Sequence, residues 1–273
     1  MKVFLSADME GTCGIVAWPE TERSTPMDYA PYQKQMSREV AAACRGALSA
    51  GAEDVLVKDA HDSARNIDPT VLPRGARIHR AWSGDPLSMM TGLNYDTFDA
   101  VFFTGYHAWA GCPGNPLSHT MNLKNDHVTL NGTPCSEFLL NAYTAGYYNV
   151  PVALITGDKA LCDFARELIP AITTVAVNEG RGNGVTSSTR TRLWSASRPP
   201  PPRPCKTPPS ARCRCRNTST SRWISSSTTW PTRRASTPAR RSRTASSSAS
   251  TATTGTRCCA SAILCLAIER ACA

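Results

Sequence analysis

Between Glu179 and Glu269 the sequence contains no aspartate or glutamate, and Lys206 is the only lysine in that stretch. No hydrophobic period survives there for more than a few residues. Such a segment has no amphipathic face to bury and cannot offset its ordering entropy. Histidine is missing from the second half too. The five are His61, His79, His107, His119 and His127, so imidazole chemistry belongs to the first half. No run reaches the roughly 18 apolar residues that a membrane-spanning helix needs, which argues against a membrane protein. The opening Met1-Lys2-Val3-Phe4-Leu5-Ser6-Ala7-Asp8 has no long apolar stretch before its first acid. It does not read as a signal peptide, and a cytoplasmic protein is expected. Of the 12 cysteines, Cys13, Cys44, Cys112, Cys135 and Cys162 lie within residues 1–179 without zinc-knuckle or redox spacing. They read as reduced small residues.

What is present divides into two kinds of sequence. A chain of 273 residues can bury a sizeable core, as one large or two modest domains. Its net charge of +9 would ordinarily suggest an anionic partner such as nucleic acid. Residues 1–179, however, hold 13 Lys and Arg against 20 Asp and Glu, whereas residues 180–273 hold 17 against 1. The basicity belongs to the tail. That tail begins its bias at about Gly180 and includes Arg198-Pro199-Pro200-Pro201-Pro202-Arg203-Pro204. Three readings compete: an Arg/Ser-rich nucleic-acid-binding tail, a disordered linker, and out-of-frame translation of a GC-rich gene. Clustered prolines and cysteines, Trp194, Trp223 and Trp230, and the near-absence of lysine favour the third. Residues 262–270 again look like an amphipathic helix. The expected loss of frame is therefore near 180–190, with recovery near 258–261.

The first half alternates between strand and helix patterns. Val3 to Ala7, Val55 to Asp59, Phe98 to Gly105 and Val152 to Gly157 read as strands. Residues 32–50 have helical spacing with Gly51 placed as a C-cap, residues 137–148 form an apolar helical stretch, and residues 160–168 a helix closed by Pro170. The implied fold class is α/β, a mostly parallel sheet flanked by helices, with a smaller second region that is corrupted or disordered in this chain. Ligands of such sheets bind beyond the carboxyl ends of the strands.

The polar residues that carry chemistry fall at those ends. Asp8 and Glu10 stand two apart after the first strand, where a period of two aims both carboxylates at one place. Alone, the pair reads first as an acidic loop or helix cap and second as a seat for a divalent metal. His61 follows the second strand and His107 the third. A single histidine in such a position is usually a hydrogen-bonding rim residue. Two on one rim with carboxylates make a ligand mix that suits zinc. His119, in a loop with Gly111, Pro113, Gly114 and Pro116, is free to act as a base, electrostatic stabiliser or nucleophile. Glu137 opens a helix, where an acid is also favoured by the macrodipole. Cys112 is a weak candidate nucleophile. His79 and His127 suggest no role.

The series Ser6-Ala7-Asp8-Met9-Glu10-Gly11, Lys58-Asp59-Ala60-His61, Ser83-Gly84-Asp85, Gly105-Tyr106-His107-Ala108, Ser118-His119-Thr120 and Asn131-Gly132 through Glu137 has a familiar order and spacing. So does Asn141-Ala142-Tyr143, running on to Gly146-Tyr147-Tyr148. Up to about residue 180 the chain resembles the zinc-dependent D-aminopeptidases of bacterial dipeptide-transport operons. The resemblance implies two Zn2+ per chain, with Asp8 bridging, Glu10 and Glu137 on one ion, His61 and His107 on the other, and His119 as catalytic nucleophile or base. It implies release of N-terminal D-amino acids such as D-Ala from short peptides, by ring-shaped homo-oligomers. The segment from His107 to His119 is one residue longer than the family's, around Asn115-Pro116. On this reading residues 1–180 are a metal-binding catalytic domain, 181–260 the low-complexity segment and 261–273 a helix-like remnant. The other outcomes are nucleic-acid binding through the tail and an inactive frameshifted product.

Overall fold

The computed structural model of the chain describes residues 1–188. Strand β1 (Lys2–Ala7) leads through helix α1 (Pro26–Ser49) to β2 (Asp54–Asp59), β3 (Ala76–His79) and β4 (Ala100–Tyr106). A small ribbon, β5 (Thr129–Leu130) and β6 (Thr133–Pro134), precedes α2 (Glu137–Tyr147). Then follow β7 (Val152–Asp158), α3 (Lys159–Leu168), β8 (Thr173–Arg181) and β9 (Gly184–Ser187). The main sheet has the order β3-β2-β1-β4-β7-β8-β9, parallel throughout except for the β8–β9 hairpin. This is the α/β fold expected from the alternation of patterns. Strand β8 runs through Gly180, and β9 follows it, so ordered strand pairing continues to Ser187. Residues 189–260 of the low-complexity segment, and the helix-like residues 261–273, lie outside the described residues. Among the described residues, no helix is long and apolar enough to cross a membrane.

Burial on both faces explains the apolar strands. Every residue of β4 is buried, as central parallel strands require. On one face Val3, Leu5, Val55, Val57 and Phe102 meet α1 through Met36, Val40, Ala43, Cys44 and Ala47. On the other, Phe4, Leu56, Phe103 and Ile155 meet Phe138 and Leu139 of α2 and Leu161, Phe164 and Ala165 of α3. The residue spacing on α1 is the three-to-four rhythm of an amphipathic helix. Its end is a Schellman motif: Gly51, at φ +96°, donates its N–H to Leu48 O and Ala52 donates to Ala47 O, each at 3.0 Å. Its start lies six residues before the sequence expectation, because Pro26 occupies the first turn and Pro31 is carried inside the helix. Pro31 is exposed, so its ring clears the sheet and one missing hydrogen bond is borne at the surface.

The order of strands has a consequence for binding. From β1 the chain steps outward to β2 and β3, then returns to the other side of β1 for β4. The carboxyl ends of β1 and β4 therefore flank a topological switch point, where doubly wound sheets bind their ligands. Asp8 and His107 sit just there.

Candidate metal centre

Asp8 and Glu10 are positioned by continuing the sheet's hydrogen bonds past the end of β1. Asp8 donates its N–H to Thr104 O and Gly11 to Gly105 O, both at 2.8 Å. Gly11 has to be glycine: a Cβ there would lie 1.8 Å from Tyr106 O. Gly105, at φ +68°, would put a Cβ 2.2 Å from Asp8 O. The two turns interlock only because neither has a side chain.

His61 sits in a loop with Asp62 and Ala64 both at positive φ. The buried Asp59 carboxylate holds that loop by accepting from the N–H groups of Asn66 and Ile67 and from Asn66 Nδ2, at 2.6–2.9 Å. Asn66 Nδ2 in turn donates to His61 O at 2.7 Å. Glu137 opens α2, whose N-cap is Ser136: its Oγ accepts from Leu139 N–H at 3.1 Å. Met121 donates its N–H to Glu137 Oε1 at 2.7 Å. It does so from φ +64° in a tight turn closed by Asn122 N–H to Thr120 O at 2.8 Å, a strained γ-turn conformation for a non-glycine residue.

The six side chains singled out in the sequence converge in one buried cluster. His61 Nδ1 lies 3.4 Å from Asp8 Oδ1 and 3.1 Å from Glu10 Oε2. His107 Nε2 lies 3.5 Å from Asp8 Oδ2 and 3.6 Å from Glu137 Oε2. His119 Nε2 lies 3.3 Å from Glu137 Oε1 and 4.0 Å from Glu10 Oε1, and its ring stacks on His107 at 4.1 Å. Potential ligand atoms fall into two groups, Asp8–Glu10–His61 and His107–His119–Glu137. This grouping differs from the one the resemblance implied, which set Glu10 with Glu137 and His61 with His107. The two oxygens of Asp8 face opposite groups, Oδ1 toward His61 and Oδ2 toward His107, so one group has one imidazole and one glutamate beside a face of Asp8 and the other has two imidazoles and one glutamate. His79 lies on β3 against Tyr95, and His127 is exposed beside Asp126. Cys112 is half-buried, and burial raises its thiol pKa.

The second ring nitrogen of each histidine is already committed. His61 Nε2 faces Thr21 O, His107 Nδ1 faces Ala108 O and His119 Nδ1 faces Leu117 O, each at 2.9 Å. A carbonyl can only accept, so these nitrogens carry the protons. The other three nitrogens then present lone pairs to carboxylate oxygens. Asp8 Oδ2, Glu10 Oε2 and His107 Nε2 are buried with no hydrogen-bond partner. Facing acceptors in a buried site require a cation between them. With protein groups alone, protons fill that place. Burial disfavours a proton on His61 and on His107, but Glu10 and Asp8 at the first, and Glu137 at the second, outweigh it and raise both well above the ordinary imidazole value. Asp8 is raised well above the carboxylate range by burial and by Glu10. Glu10 and Glu137 are lowered despite burial, by His61 and His107 respectively. His119 is lowered by burial and by His107. Three buried carboxylates, with imidazole lone pairs oriented by backbone carbonyls, form a donor set suited to zinc.

Comparison with known proteins agrees with this chemistry. Residues 1–196 match the model of the peptidase M55 family, described as D-aminopeptidase. The chain belongs to that family. It is 39% identical over 181 residues to the D-aminopeptidase of Bacillus subtilis strain 168, covering 66% of this chain and 64% of that protein's length. It is similar in structure to the Zn-dependent D-aminopeptidase DppA from Bacillus subtilis, a self-compartmentalizing protease. That likeness has a TM-score of 0.68 and 33% identity, over 72% of this chain and 71% of the other. Family membership accounts for the run of motifs in the first half. The sequence reading missed the residues that orient the site: the carbonyls of Thr21 and Leu117, the Met121 amide, and Trp18, whose ring meets His119 edge-on at 5.3 Å. Backbone carbonyls and a strained non-glycine turn leave no signature in residue identity.

Proposed function

We propose that this chain is a zinc-dependent aminopeptidase that hydrolyses the N-terminal peptide bond of short peptides carrying D-amino acids such as D-Ala. The observation that carries the reading is the double-faced Asp8, with one oxygen toward each group of unsatisfied ligand atoms. Asp8, Glu10 and His61 would hold one zinc ion; Asp8, His107 and Glu137 would hold the second. Two zinc ions held there would supply Lewis acidity toward the scissile carbonyl and bring a water molecule's pKa toward neutrality.

The protein's own groups do the rest. His119 is the most exposed of the three imidazoles and stands over the gap between Glu10 and Glu137. With its Nδ1 proton given to Leu117 O, its Nε2 lone pair can take the proton of the attacking water and pass it to the departing amine. Burial of Asp8, Glu10 and Glu137 excludes bulk water and strengthens each charge interaction. On this reading the chain works as a ring-shaped homo-oligomer in the cytoplasm; the self-compartmentalizing relative supports the assembly. The catalytic domain, on this reading, lies within the N-terminal part of the chain, and the basic tail reflects a lost reading frame. Sequencing the coding DNA over codons 175–265 tests the last point: it should show compensating insertions or deletions.

The function is tested on the full chain by metal analysis and by hydrolysis of D-Ala p-nitroanilide. Expected are about two zinc ions per chain and activity abolished by a chelator. Absence of bound metal, with full activity in the chelator, ends the proposal.

A further inference from the structure

Asp158 lies at the carboxyl end of β7, on the same rim as the cluster, and is completely buried. It is not available as a ligand, because both oxygens accept from protein donors. Oδ1 accepts from Leu161 N–H at 2.8 Å as the N-cap of α3. Oδ2 accepts from Ala108 N–H at 2.6 Å and from Asn115 Nδ2 at 3.1 Å. Asn115 is buried as well. Its Nδ2 also reaches Glu10 O at 3.3 Å, and its Oδ1 accepts from Leu117 N–H at 2.8 Å.

Each backbone segment so held orients a member of the cluster. Ala108, fixed through its N–H, offers the carbonyl that takes the His107 Nδ1 proton. Leu117, also fixed through its N–H, offers the carbonyl that takes the His119 Nδ1 proton. Glu10 is held through its own carbonyl. One carboxylate and one amide thus reach three of the six side chains, drawn from both ligand groups. His61 is outside this network: its loop is held by Asp59 and Asn66, and its Nε2 proton by Thr21 O. Asn115 also closes a turn, its carbonyl accepting from Ser118 N–H at 3.1 Å.

We propose that Asn115 and Asp158 are positioning residues that select the Nδ1–H tautomers of His119 and His107 and so aim both Nε2 lone pairs into the cluster. Orientation of an imidazole by the partner of its other nitrogen is a strong control on ligand geometry and basicity. The proposal rests on the metallopeptidase reading for its purpose, but not for its geometry.

The test is 15N labelling of the histidine rings in the full chain, read by NMR in metal-free and zinc-titrated samples. In the parent protein His119 should show one tautomer, protonated at Nδ1. In Asn115→Ala that signal should be replaced by two exchanging tautomers, while the His61 signal stays unchanged as an internal control of fold. Asp158→Asn, which keeps the side-chain shape, should disturb His107 and His119 together and again spare His61. If His119 keeps its single tautomer in both variants, or if His61 is lost along with it, the pair has no selective positioning role and the proposal is overturned. The zinc titration separates this from the function: a chain that binds no zinc yet loses His119 selectively would refute the metallopeptidase and leave the positioning pair standing.

Discussion

The two ligand groups are built in different ways. Asp8, Glu10 and His61 follow β1 and β2 directly, and the parallel register of those strands brings their ends together. His107 also follows a strand, but Glu137 and His119 arrive by a long excursion through loops, the β5–β6 ribbon and the start of α2. The first group is placed mainly by sheet pairing and a loop held by Asp59, with the Thr21 carbonyl on His61 and a single contact from Asn115 to the Glu10 carbonyl added. The second needs a strained turn at Met121, the Leu117 carbonyl and the Asn115–Asp158 pair. A strand end delivers a ligand through the regular hydrogen bonds of the sheet, whereas a loop has to be pinned contact by contact.

The sharpest way to break the comparison is to remove the residue the groups share. Asp8→Ala should cost binding at both, with activity falling by more than the roughly 10–100-fold typical of losing an outer partner of a metal ligand. Zinc stoichiometry by elemental analysis would show it, and retention of full zinc content would disprove the shared role. The next largest effect separates the groups. His61→Ala and Glu137→Ala should each lower zinc content by one equivalent, measurable by calorimetric titration. Loss of all metal in either variant would mean that the two groups act as a single site.

A third prediction concerns the helix that supports the first group. Glu39 on α1 accepts from Cys13 N–H at 3.0 Å and from Gln35 Nε2 at 2.9 Å, but its Oε2 is buried without a partner. Burial raises its pKa from 4.5 to about 7. A raised carboxyl binds its proton more tightly folded than unfolded, so this contribution to stability is full below pH 4.5 and is lost as pH rises to about 7. Glu39→Gln should therefore match the parent near pH 4 and exceed it above pH 7, by on the order of 3 kcal/mol at most. Denaturant melts at the two pH values decide it, and equal differences at both would refute the shift. The smallest effect belongs to the second group. Met121→Gly should relieve the strain at φ +64° and raise stability by about 0.5–1 kcal/mol, since glycine's greater unfolded entropy offsets part of the gain. A lower melting temperature would count against strain at this turn.

Much of this was legible in the residues. Strands β1, β2, β4 and β7 have buried apolar runs, and α2 and α3 have capping residues, Ser136 and Asp158, before a helical pattern. Edge strands were harder. In β3, Ala76-Arg77-Ile78-His79 is half exposed and carries charge, so it lacks a buried strand's signature. The hairpin of β8 and β9 is mostly only partly buried and turns through a glycine-rich segment, and its composition gives little warning that pairing continues past residue 180.

What the sequence determined by itself was the inventory: an α/β alternation, a break in composition near residue 180, and six polar residues at strand ends, in a loop and at a helix start. These are local properties, set by side-chain period and by the residue types that suit caps and metal ligands. Only the tertiary structure decided how those residues divide. The switch point between β1 and β4 turns Asp8 to face both groups, and backbone carbonyls, that of Thr21 far off in sequence and those of Ala108 and Leu117 held in place by the folded rim, select the tautomer of each histidine. Those choices depend on which backbone atoms meet across the sheet's rim, and backbone groups are the same in every residue.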